Sequence, residues 1–87
     1  MSEQVPSIGR IVHYVLDAGP HAGEQRPAVI VRVWGEQPDS LVNLQVFTDS
    51  DQDGYSNDAL PPVWWRESRK QDPTGRILGT WHWPEKA

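Results

Sequence analysis

Arg26 to Trp34 reads RPAVIVRVW, and the reading of this run decides the fold. β-Branched residues fill its middle, and no apolar stripe repeats with a helical period, so it is a strand. Val29, Val31 and Val33 form an apolar face, while Ala28, Ile30, Arg32 and Trp34 form a mixed one. Pro27 has no N–H to donate and belongs at the first residues of the strand or on an edge.

Four further strands lie around it. On the N-terminal side GRIVHYVL, Gly9 to Leu16, alternates Ile11, His13 and Val15 against Val12, Tyr14 and Leu16. DAGPHAGEQ then makes a loop. On the other side GEQPDS is a turn, and LVNLQVF, Leu41 to Phe47, turns Val42, Leu44 and Val46 inward with Asn43 and Gln45 outward. Residues 48–62 are polar and read as a long loop. VWWRES is a short fourth strand and GTWHW, Gly79 to Trp83, a fifth, stopped by Pro84. Short strands between Gly/Pro turns predict an all-β, five-stranded SH3-like barrel with little or no helix. An OB-fold is the alternative, although it normally needs a longer chain and a helix.

The 87 residues are read as one domain, with residues 1–7 as a frayed start. So short a chain buries a modest core. It has no cysteine, hence no disulfide and no thiolate ligand. Its five tryptophans can each bury roughly 150–250 Å², so aromatic packing and self-association are the expected stabilisers. A homo-oligomer is therefore expected. A net charge of −4 argues against general nucleic-acid binding. No apolar run approaches the ~20 residues of a membrane span, and MSEQVPSIGR carries no signal pattern, so a cytoplasmic protein is expected.

Four constellations have chemical potential. Asp49, Asp51 and Asp53, followed by Gly54, imitate the opening of a calcium loop, to which Tyr55 and Asn57 would add ligands. Leu60 stands where a bidentate glutamate is needed, so a solvated acidic turn is the plainer reading. Among the three histidines, His13 and His82 meet if the first and last strands are neighbours, but two histidines alone make a poor zinc site. Metal-free RNA cleavage needs a cation for the phosphorane and a proton carrier; Arg26, His13, His82 and Glu24 are the candidates. Finally, Arg accompanies Trp repeatedly. Arg32 with Trp34, Trp65 with Arg66 and Arg69, and Trp81 with His82 offer stacking surfaces and phosphate-binding forks for a small phosphorylated ligand. The plainer reading of each Trp is core or interface packing. The sequence implies no cofactor.

Two resemblances bear on these readings. Gly9, Ile11, Val12, Gly23, Glu24, Gln25, Arg26, Pro27 and Ala28 resemble the opening of the MazF/PemK toxins, SH3-like barrels that cut RNA. That likeness implies a barrel and, through its Arg-Pro position, a cleavage role for Arg26. Over a longer span, PSIGRIVHY, PAVIVRVWG, VNLQVF and GTWHWPE resemble a group of small phage and prophage proteins of unassigned function. This implies a viral origin. The expected function is non-enzymatic sequestration of a phosphorylated nucleotide signal of host antiviral defence. The alternatives are a MazF-like endoribonuclease and a module that binds a host protein.

Overall fold

A computed structural model of the chain describes residues 4–54 and 58–84. It contains five strands: β1 (Ile11–Val15), β2 (Gln25–Val33), β3 (Val42–Phe47), β4 (Val63–Arg69) and β5 (Trp81–His82). The single 3₁₀ turn, Ser50–Asp53, is the one helical element among the described residues. All five strands predicted from the sequence form. They pair antiparallel in the order β4-β3-β2-β1-β5. The segment after β4 then closes the sheet on itself. Trp81 donates its N–H to the Lys70 carbonyl (3.1 Å), Asp72 donates to the Trp81 carbonyl (2.9 Å), and Gln71 bridges Trp81 in parallel. The result is a small SH3-like barrel. No described helix is long and apolar enough to cross a membrane.

The core consists of Val12, Tyr14, Ala28, Ile30, Val42, Leu44, Val46 and Trp81, all fully buried. Val33, Trp64 and Trp83 pack against it from the rim. In β3 Val42, Leu44 and Val46 enter the core as expected, but Asn43, expected outward, is buried too, its side-chain oxygen accepting from the Trp34 indole N–H and the Ser68 N–H. In β2 the faces are exchanged: Ala28 and Ile30 point into the core, whereas Val29 is half-buried and Val31 exposed. The neighbours set this register, because Ala28 lies opposite both Val12 and Val46. A β-bulge between Ile30 and Arg32 then returns Val33 to the core side, opposite Val42. Pro27 lies opposite His13 on β1, and pairing with β3 begins only at Ala28, so the missing N–H interrupts no ladder bond there.

Two polar arrangements fix the loops. Asp72, almost buried, accepts hydrogen bonds from the Thr74 hydroxyl and from the N–H groups of Thr74, Arg76 and Ile77. These bonds, the Ile77 N–H foremost, hold its carboxyl down to about 2. The long polar segment between β3 and β4 is tied down as well. The Thr48 N–H donates to the Pro62 carbonyl, the Leu60 N–H donates to the Ser50 carbonyl, and Asp53 is wholly buried. Residues 1–3 of the predicted frayed start lie outside the described residues, while Pro6 is buried.

Candidate ligand site

β1 and β5 are neighbours, with Tyr14 opposite Trp81 and His13 opposite His82. Alternation therefore sends Trp81 and Trp83 to the core side and His82 to the other. Trp81 fills the barrel. Trp83 reaches the rim, where its ring meets Trp81 edge-on at 5.4 Å between centres. The Arg10 guanidinium lies over the Trp83 ring, 5.0 Å from its centre, within cation–π range. Beyond Trp83 opens a groove of about 390 Å³, lined also by Gln4, Pro38, Asp39, Gln71 and Pro73. An indole and two proline rings form its walls, and two amides and a carboxylate supply its polar groups. Its volume falls in the range of small-molecule sites, roughly 300–1,000 Å³.

The residues predicted to bind a ligand do not gather in one place. Arg32 stacks on Trp34 at 4.0 Å near the end of β2, and the Trp34 indole N–H donates to the Asn43 side-chain oxygen (2.9 Å). Trp65 stands half-exposed on the outer face of β4. Arg66 and Arg69 turn the other way. Arg66 lies over Trp64 at 4.2 Å, donates to the Tyr14 hydroxyl (3.2 Å) and pairs with Asp17 (2.8 Å). Arg69 reaches the same Asp17 oxygen at 3.3 Å. This cluster ties β1 to β4 across the barrel, and burial pushes the Tyr14 hydroxyl pKa up despite the Arg66 bond. Trp81 is closed off from solvent, with its indole N–H donated to the Arg69 carbonyl (3.2 Å).

The proposed proton carriers do meet. The rings of His13 and His82 stand edge to face at 5.7 Å, and both reach the Gln25 side-chain oxygen, at 3.2 and 3.1 Å. Arg26 is elsewhere. Its Nε and Nη2 bind the Asp53 carboxylate at 2.8 and 2.6 Å, and its Nη1 donates to the Gln25 carbonyl and to Glu24. All three nitrogens of the Arg26 guanidinium are therefore engaged within the chain. Glu24 also pairs with His21 at 2.9 Å. The Arg26 fork holds the Asp53 carboxyl below its ordinary value and raises the arginine in turn. The calcium-like run is thereby turned inward: Asp53 accepts from Arg26 and from the Asp49 N–H, whereas Asp49 and Asp51 remain exposed. No group of three potential ligands among the described residues is placed to hold a metal. Tyr55 and Asn57 lie outside the described residues.

The groove at Trp83 draws on the N-terminal segment, the β2–β3 turn and the segments flanking β5. No linear motif marks it; the one sequence signal is the Trp-His-Trp alternation, which places Trp83 beside Trp81. Comparison of the chain with family models, curated proteins and solved structures finds no match.

Proposed function

We propose that this chain is a non-enzymatic binding protein for a small phosphorylated nucleotide, seated in the groove at Trp83. One observation carries the reading: a rim indole, braced on one edge by Trp81 and accompanied by the Arg10 cation, forms a wall of a groove of ligand size. A nucleobase stacked along Trp83 would gain about 1–3 kcal/mol. Asp39, Gln4 and Gln71, which line the groove, offer acceptors and donors to the base edge, and Arg10, which lies over the Trp83 ring outside that lining, offers a fork for a phosphate that reaches past the indole. The resemblance to phage and prophage proteins supports a nucleotide signal of host antiviral defence as the ligand, sequestered in the host cytoplasm by a homo-oligomer.

Calorimetric titration with cyclic dinucleotides and ADP-ribose derivatives tests this. Binding is expected with one of these classes, and Trp83→Ala is expected to weaken it roughly 5- to 150-fold, the equivalent of the stacking energy. Absence of heat with every compound, at tens of micromolar protein, would sink the reading. The His13–His82 pair favours a second one, endoribonuclease activity, in which one imidazole takes the proton of the attacking 2′-hydroxyl and the other gives a proton to the leaving 5′-oxygen. Cleavage of total RNA by the wild-type chain, lost in His13→Ala, would select it.

A further inference from the structure

The outer face of the sheet carries a second surface. Register places Ile11 opposite Val29, Val29 opposite Gln45, and Gln45 opposite Trp65, making one row across four strands. One step along, His13 lies opposite Pro27 on one side of the sheet and Phe47 lies opposite Val63 on the other, two shorter pairs beside that row. Directly opposed residues of antiparallel strands share a face. These eight residues include no Asp, Glu, Lys or Arg, although 23% of the chain is charged. They are also largely uncovered. Ile11 is 59% exposed, Val63 and Trp65 51%, and Phe47 43%.

We infer that this face is the interface between two copies of the chain, packed sheet to sheet about a two-fold axis. Its extent is the first reason. Five exposed side chains, those of Ile11, Pro27, Phe47, Val63 and Trp65, and their half-buried neighbours present on the order of 400 Å² of apolar surface. Stable interfaces begin near 600 Å² per partner, and homodimer interfaces are about 65% apolar, which requires about 390 Å². Charge is the second reason. Two chains of net charge −4 repel, and these eight positions carry no carboxylate, so copies can meet on them with the exposed Glu67, one step beyond Trp65 on the same face of β4, left at the margin. A two-fold axis sets the patch against itself, so each aromatic anchor meets an apolar counterpart. Trp65, expected from the sequence as a ligand residue, becomes an interface anchor.

Sedimentation velocity of the full chain tests the inference. The wild type is expected at twice the 9.9 kDa chain mass at high-micromolar concentration. Trp65→Glu and Phe47→Lys are each expected to raise the dimer dissociation constant at least ~30-fold, as loss of an interface anchor does, with the far-UV circular dichroism retained. Trp83→Ala is expected to leave the mass unchanged, which separates this surface from the groove. A wild-type chain that stays monomeric at hundreds of micromolar overturns the proposal, as does an assembly that survives both substitutions. Should a variant unfold, hydrogen exchange of the wild type at Gln45 and Trp65 reads the same surface. Protection that rises with protein concentration supports the interface, and concentration-independent protection overturns it.

Discussion

Removing the guanidinium of Arg26 strands a carboxylate. Asp53 has no exposed surface, and the Arg26 side chain that neutralises it is 18% exposed. In Arg26→Met the Asp49 N–H is the one hydrogen-bond donor left to the carboxylate among the described residues. Breaking a buried pair from one side costs about 3–5 kcal/mol. Asp53 can escape by taking up a proton. From its ordinary pKa of 3.8, that costs about 4 kcal/mol at pH 7 and about 2 kcal/mol at pH 5. The two routes agree, so Arg26→Met should lose about 4 kcal/mol at neutral pH. The melting temperature should fall by roughly 15–30 °C. Acidification then acts oppositely on the two proteins. In the wild type the Asp53 pKa is lowered, so its stabilisation is present above 3.8 and lost on acidification. In the variant the folded pKa is raised, and each unit of acidification recovers about 1.4 kcal/mol until the carboxyl is protonated. Urea denaturation followed by tryptophan fluorescence at the two pH values measures both quantities. The double variant Arg26→Met/Asp53→Leu should regain most of the loss. A deficit below about 1 kcal/mol at pH 7, or one that does not shrink at pH 5, would refute this account. The same numbers govern any activity assay: loss of function in Arg26→Ala has meaning only beside a measurement of folding.

Gly79 has φ +79°, and a Cβ there would come within 2.8 Å of Arg69 Nη1 and 3.1 Å of Asp17 Oδ2. Gly79→Ala should therefore cost about 2–3 kcal/mol in a urea titration. Trp81→Ala empties the middle of the core and should cost about 3–5 kcal/mol by the same measurement. Asp72, at about 2, stabilises the folded chain fully above its ordinary 3.8 and loses that contribution as pH falls toward 2. Thermal melts of Asp72→Asn should accordingly lie below wild type at pH 7 and converge with it near pH 2; parallel curves would contradict the assignment.

The strands were legible because β-branched alternation and Gly/Pro punctuation are local signals. So was the meeting of His13 and His82, which follows once a small barrel sets its first and last strands side by side. The inward face of β2 was not legible. Three valines outweigh Ala28 and Ile30 on hydrophobicity alone, and only the register with Val12 and Val46, followed by the bulge after Ile30, decides the matter. The acidic run showed oxygen ligands at alternate positions but gave no sign of Arg26, 27 residues earlier, which takes Asp53 for itself. Pairing Arg with Trp by sequence proximity held for Arg32 and Trp34, which stack, but not for Trp65 and Arg66, which are adjacent and are sent to opposite faces by alternation. The Arg10–Trp83 contact joins distant segments that no local pattern connects.

The seam of the barrel is a strand two residues long, bonded on both flanks. His13 and His82 lie far apart along the chain, so the β1–β5 pairing closes a large loop and must follow the β1–β4 meander, whose turns are short-range by comparison. Once closed, the seam opens only when both flanks let go together. The amides of Trp81, Val15 and Asp72 should therefore exchange with solvent as one cooperative group, at a free energy below that of global unfolding. The shortest strand would then set the pace at which the molecule becomes whole.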